Sequence, residues 1–416
     1  MRDLREDAEK IIENIIKENL PGDAVKKALT NHKFETNEIY LIAIGKAAYT
    51  MAEAAKEFLG DRLKKGIVVT KYEHSKGSLE NIEIYEAGHP VADENSVKAT
   101  EKCIELAETL KATDELVFLV SGGGSAIFEK PSEGVTLDDI ITVTNNLLKS
   151  SADIVEINMI RKRLSAVKAG RFAEIAAPAK IYAVILSDVL GDRLDSIASG
   201  PVVPDMSTVQ DALNVVAKYD LGAPYNVLKN LEIETPKSIT NVETAIVGSV
   251  KTLIESAYKS ASNLGYTSYV LTNTLNCEAR EAGRFLASIT NDTLKGETHF
   301  ERPCAIIAGG ETVVTVTGQG KGGRNQEKAL SFASGVAGGE GVLFFSLGSD
   351  GTDGPTDAAG AVVNGSTVSQ LKEKNIDVAE VIKNNDSYEA LKQVDSLIFT
   401  GPTGTNVNDV CVILID

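Results

Sequence analysis

Leu116-Val117-Phe118-Leu119-Val120 runs directly into Ser121-Gly122-Gly123-Gly124-Ser125. An unbroken apolar run that stops at glycines suits a strand buried on both faces, with a loop at its carboxyl end. The same pattern recurs on either side. Residues 38–44 (EIYLIAI) end in Gly45-Lys46, residues 66–70 read GIVVT, and residues 181–186 (IYAVIL) end in SDVLGD. A shorter run covers 82–85. Helix-like stretches at 47–59, 93–110, 137–149 and 168–177 lie between them. Continuous apolar strands alternating with helices predict an α/β fold with a mostly parallel sheet and flanking helices.

Upstream, Leu4, Ala8, Ile11, Ile12, Ile15, Ile16 and Leu20 recur at helical spacing, and Pro21-Gly22 should end that helix. Its apolar stripe needs a partner, most simply a sheet. Downstream, the chain turns polar over 231–241 around Pro236, which marks the expected domain boundary. This gives an N-terminal Rossmann-like domain over 1–236 and a C-terminal mixed α/β domain over 237–416. In the second domain, 304–308 and 312–317 read as a β-hairpin. Strands are expected at 244–247, 268–271, 341–347, 360–363 and 396–400, and at the closing run 410–415 (VCVILI).

Composition excludes several classes. Asp and Glu total 59 against 42 Lys and Arg, a formal net charge of −17. Such a chain repels nucleic acid and anionic lipid, so neither is an expected partner. Cys103, Cys277, Cys304 and Cys411 form no CxxC pair. His32, His74, His89 and His299 lack HExxH or HxH spacing. A zinc ribbon and a disulfide framework are thereby disfavoured, and a reducing compartment fits. The N-terminus is charged from its second residue and no 18-residue apolar run occurs, so a cytoplasmic protein without a membrane span is expected.

The chemistry-bearing residues gather in loops that follow apolar runs, where open α/β sheets bind ligands. Ser121, Gly122, Gly123, Gly124 and Ser125 let backbone N–H groups approach an anion, although neither the P-loop nor the GxGxxG spacing is present. Lys46 stands just past a strand. Asp188 and Asp192 lie four apart in SDVLGD and suit Mg²⁺ binding or proton acceptance. Lys321, Gly322, Gly323, Arg324 and Asn325 form a basic glycine loop that opens a helix and favours anions. Asp350, Asp353 and Asp357 alternate with glycines in SDGTDGPTD but miss EF-hand spacing. A last polar loop, GPTGTNVND, holds Thr405, Asn406 and Asn408. Anion-binding glycines, cations and aspartates are the parts phosphoryl transfer needs.

Taken in order, SGGGSA, SDVLGDRLDSIASGP, GGRNQE, SDGTDGPTDAAGA and GPTGTNVND resemble the glycerate 2-kinases of the MOFRL type, from about Lys46 to the end of the chain. The resemblance implies two α/β domains, with the MOFRL region at about 300–410 and the active site in the interdomain cleft. It implies ATP-dependent phosphorylation of D-glycerate at the 2-hydroxyl, with Mg²⁺ or another divalent cation, and it allows a homodimer. Lys46 and Arg324 would face transition-state charge, and Asp188 and Asp192 would bind Mg²⁺ or accept a proton. Ser121 to Ser125, Gly322, Gly323, Asn325, Asp350, Asp353 and Asn406 would line the nucleotide site. The alternatives are an NAD(P)H-dependent hydroxypyruvate reductase and a non-catalytic sugar-acid binding protein.

Overall fold

The computed structural model describes residues 2–416. Their contacts divide the chain into two compact units, residues 21–247 and residues 248–416 together with the residues before Pro21.

In the first unit, β1 (Ile39–Ile44), β2 (Leu63–Lys71), β3 (Ile82–Ala87), β4 (Glu115–Val120), β5 (Lys180–Leu186) and β6 (Val242–Gly248) form one sheet in the order β3-β2-β1-β4-β5-β6. The pairings from β3 through β5 are parallel, with Ile44 beside both Val69 and Val120. Chain order reverses between β1 and β4. That is the topological switch point, and the loops after both strands leave from its carboxyl edge. Phe118, Phe128 and Phe172 are fully buried on one side of this sheet, with ring centroids 5.1–6.0 Å apart. The helices Leu137–Lys149, Ile154–Leu164, Val209–Lys218 and Tyr225–Leu231 close a second apolar cluster around Leu147, Ile160, Leu164 and Val215.

The second unit also holds six strands: β7 (Thr267–Leu275), β8 (Cys304–Gly310), β9 (Val342–Gly348), β10 (Gly360–Asn364), β11 (Leu397–Ile398) and β12 (Asp409–Ile415), in the order β11-β10-β9-β12-β8-β7. Only the β7–β8 pairing is parallel. β12 lies between β8 and β9 and is buried along its whole length, as its apolar run requires.

Three expectations change. The first concerns the domain boundary, which falls at 247/248 and not at 236/237. Residues 242–248 form the last strand of the first sheet, and the stretch around Pro236 is anchored to the same unit. Asp205 N–H donates to the Pro236 carbonyl, and Lys237 Nζ donates to the Asp205 and Ser207 carbonyls. Second, the helix Leu4–Glu18 packs chiefly on a helix, Val250–Asn263, burying Ala8, Ile11, Ile12 and Ile15. Asn14 and Asn19 bond Ser260 and Ser256 across that contact. Pro21 opens a second helix, Pro21–Asn31, at a position where its missing N–H costs nothing. Third, 312–317 does not return along β8. Val313 instead exchanges backbone bonds with Cys277 and Ala279, and Thr315 bonds the Glu278 carboxylate, so the expected hairpin is replaced by pairing with the segment after β7.

Candidate active site

At the switch point of the first unit, two loops are tied together by side chain and backbone. Ser121 is buried. Its hydroxyl accepts from Ala47 N–H at 3.0 Å and donates to the Ile44 carbonyl at 3.2 Å. Lys46 N–H donates to the Gly122 carbonyl at 2.9 Å. Gly45, with φ +108°, leaves no room for a side chain against Ser121, and a Cβ on Gly122 would collide with the Asp188 carboxylate. Lys46, the glycine loop and Asp188 thus meet at one place. Asp192 lies further along, in a turn whose N–H donates to the Val189 carbonyl, with φ +55°.

The Lys46 side chain is half-buried and has no carboxylate within ion-pair distance among the described residues. His89 stands beside it, 2.9 Å from where a Gly123 side chain would begin. Burial first, then the charges of Lys46 and Lys71, push the His89 pKa down to about 4. His89 is therefore neutral at pH 7. Because its folded pKa lies below the unfolded value near 6.5, its contribution to stability is constant above about pH 6.5 and is lost as pH falls from there towards 4. We expect the His89 imidazole to titrate near pH 4 by NMR. His89→Gln should flatten the fall of thermal midpoint between pH 6.5 and 4. A His89 pKa above 6 would contradict this account.

The loop's far end is held from the helix Ile154–Leu164. Arg161 Nη2 donates to the Ser125 carbonyl at 3.1 Å, and the Ser125 and Ser199 hydroxyls bond at 3.0 Å. Neither Arg161 nor Ser199 stood out in the sequence. The only signal was Arg161-Lys162-Arg163, a basic triplet in an acidic chain.

In the second unit the expected residues form a different arrangement. Arg324 starts the helix Arg324–Gly335. Its Nε and Nη2 grip the buried Asp409 carboxylate at 2.7 and 2.9 Å, and Nη1 donates to Glu311 at 2.7 Å. Burial opposes the charge, but Asp409 and then Glu311 hold the guanidinium pKa above its ordinary value. Three of its five N–H donors are engaged and two remain. Asp353 is buried, and its two carboxylate oxygens accept from the backbone N–H groups of Asn325 and Gln326 at 3.1 and 2.9 Å. A carboxylate of the chain thus fills the helix N-terminus that the sequence offers to phosphate. Burial pushes the Asp353 pKa up to about 6. Side chains on Gly322 and Gly323 would collide with Ser387 and Asp353, so close packing accounts for both glycines. Asp350 accepts from Thr352 N–H at 3.1 Å. A Cβ on Gly348 would lie 3.4 Å from both the Asp350 and the Asp409 carboxylates. Asp357 stands apart, exposed and bonded to the Tyr388 hydroxyl. Asn406 is half-buried in the loop before β12.

Among the described residues, no three His, Cys, Asp or Glu side chains cluster closely enough to hold a metal by themselves. Mg²⁺ does not require that. It is usually held by one or two carboxylates and substrate phosphates, keeping several waters. Asp188, filling the space a Gly122 side chain would take, fits that requirement.

Residues 7–232 match the family described as "Domain of unknown function (DUF4147)", and residues 304–409 match the MOFRL family. D-glycerate 2-kinase of Thermotoga maritima is 51% identical over 99% of this chain and 98% of its own length. A protein of Agrobacterium vitis with the provisional name hydroxypyruvate reductase is 39% identical over 90% of this chain and 86% of its own. The crystal structure of glycerate kinase from Thermotoga maritima superposes with a TM-score of 0.96, covering 99% of both chains.

Proposed function

The chain belongs to the glycerate 2-kinase family with a C-terminal MOFRL domain, and we propose that it transfers the γ-phosphoryl group of ATP to the 2-hydroxyl of D-glycerate, giving 2-phosphoglycerate and ADP. It is a phosphotransferase acting on an alcohol group. No helix among the described residues is long and apolar enough to cross a membrane.

The observation that carries this reading is the switch-point cluster in the first unit: a half-buried lysine with no carboxylate within ion-pair distance among the described residues, a triple-glycine loop and an aspartate packed on that loop. Phosphoryl transfer asks the protein for positioning and for charge where the transferring group becomes negative. Lys46 supplies a cation, the glycine loop brings backbone N–H groups within reach of an anion, and Asp188 or Asp192 accepts the proton of the attacking hydroxyl. Arg324, aimed by Asp409 and Glu311, adds its two remaining N–H donors. Asp188 and Asp192 would hold Mg²⁺, which when bound neutralises charge on the phosphate oxygens.

The reductase reading needs a dinucleotide fingerprint after a strand. Here β1 is followed by Gly45-Lys46-Ala47-Ala48 and β4 by Ser121-Gly122-Gly123-Gly124, neither of which supplies GxGxxG. One pair of assays tests the proposal: ADP release from ATP, Mg²⁺ and D-glycerate, beside NAD(P)H oxidation with hydroxypyruvate. Glycerate-dependent ADP release without NAD(P)H oxidation is expected. The reverse pattern would overturn it.

A further inference from the structure

Lys162, Arg163 and Lys168, close to Arg161 in the chain, are neutralised by carboxylates of the chain itself. Lys162 lies 3.2 Å from Asp195 and 3.5 Å from Asp205, Arg163 is 3.5 Å from Glu234, and Lys168 is 2.8 Å from Glu129. Arg161 differs from these three. Among the described residues no carboxylate lies within ion-pair distance of it, its Nε is buried without a hydrogen-bond partner, and its Nη2 is anchored on the Ser125 carbonyl. Its charge also weighs on a neighbour. Lys168 is buried and its pKa is lowered, by desolvation first, with Arg161 contributing in the same direction. An un-neutralised guanidinium beside a buried ammonium is costly unless an anion arrives to balance it.

The surroundings hold this guanidinium against the glycine loop. Asn158 and Arg161, three residues apart, share one helix face. Asn158 Oδ1 accepts from the Ser199 hydroxyl at 3.5 Å, and Ser199 meets Ser125. Ala198, Ser199 and Gly200 are three consecutive left-handed residues with φ of 50°, 60° and 65°, two of them carrying side chains. A Cβ on Gly124 would press on Ala198. Such backbone persists only where its surroundings over-determine it, and it clusters at ligand sites. Lys46 lies along the same loop, its Cγ 3.2 Å from where a Gly123 side chain would begin.

We propose that Arg161 binds the carboxylate of the 2-hydroxy acid, with Lys46 on the other side of the glycine loop. This rests on the kinase reading and extends it to the acceptor's binding determinant. Charge favours a carboxylate over nucleotide phosphates. The groups set on the loop are Lys46, Arg161 and Asp188, one positive charge in sum, which balances a monoanion. The guanidinium fork also matches carboxylate geometry.

The test compares wild type with Arg161→Gln and Arg161→Lys by steady-state kinetics and by calorimetric titration of D-glycerate. For Arg161→Gln the proposal expects KM for D-glycerate to rise about 10- to 100-fold, the loss of a charged hydrogen bond. It expects KM for ATP to stay within about twofold. A raised KM for ATP with unchanged KM for D-glycerate would overturn it in favour of a phosphate site. Unchanged values for both would overturn it in favour of a structural arginine. If Arg161→Gln loses its fold, Arg161→Lys decides, since it keeps the charge without the fork. A several-fold higher KM for D-glycerate supports the proposal, and a wild-type KM sinks it. Failure of the kinase reading is separable. A wild-type protein that binds D-glycerate without phosphorylating it defeats that reading, and loss of the binding in Arg161→Gln would still support the carboxylate site.

Discussion

Lys46→Ala is expected to lower kcat/KM for D-glycerate phosphorylation about 10²- to 10³-fold, the usual consequence of removing one preorganised donor from a transition state. The fold should be untouched. The Lys46 backbone bond to Gly122 survives the substitution, and among the described residues the ammonium has no ion-pair partner whose burial would become costly. Substitutions of that kind change stability by about 0.5 kcal/mol or less. The thermal midpoint should therefore match wild type while turnover collapses. Near-full activity would make Lys46 a solvated charge at the sheet edge.

Arg324→Ala is expected to fail in two ways at once. Activity should fall by a similar factor, because two guanidinium donors aimed by Asp409 and Glu311 disappear. Stability should fall too. Asp409 is 2% exposed and would lose its bidentate partner, and removing one member of a buried pair costs about 3–5 kcal/mol. The lower end applies, since the Arg324 side chain keeps 31% exposure. The double variant Arg324→Leu with Asp409→Asn separates the two effects. It removes the stranded charge and should regain most of the thermal midpoint, with activity still lost. If the double variant regains activity together with stability, Arg324 is a structural ion-pair partner and nothing more.

How much of this was legible follows from which signals are local. β1, β4 and β5 were readable because a strand buried on both faces is apolar throughout, and β12 for the same reason. β6 also carries an apolar stretch, but only its last residue is buried, and nothing local says which sheet it joins, so the sequence puts the boundary too early. The stripe Ala8, Ile11, Ile12 and Ile15 announced a helix correctly but could not say that a helix some 240 residues later would cover it.

The site divides along the same line. Glycine and aspartate loops after apolar runs were visible as composition, and the first unit gathers Lys46, Ser121 to Ser125 and Asp188 at its switch point. Hydrogen-bond direction was not visible. Asp353 looks like a ligand in the sequence, yet both its oxygens accept from the chain's own helix. Arg161 looks like one surface charge among three, because nothing local reveals that Lys162 and Arg163 have carboxylate partners while Arg161 has none among the described residues.

The most direct test of the central claim is the phosphorus NMR spectrum of the product formed from D-glycerate, ATP and Mg²⁺. A phosphate on the 2-oxygen couples to the single proton on carbon 2, so the account predicts a doublet that appears as ATP is consumed. A triplet, from the two protons of carbon 3, or no new phosphomonoester signal at all, would contradict it.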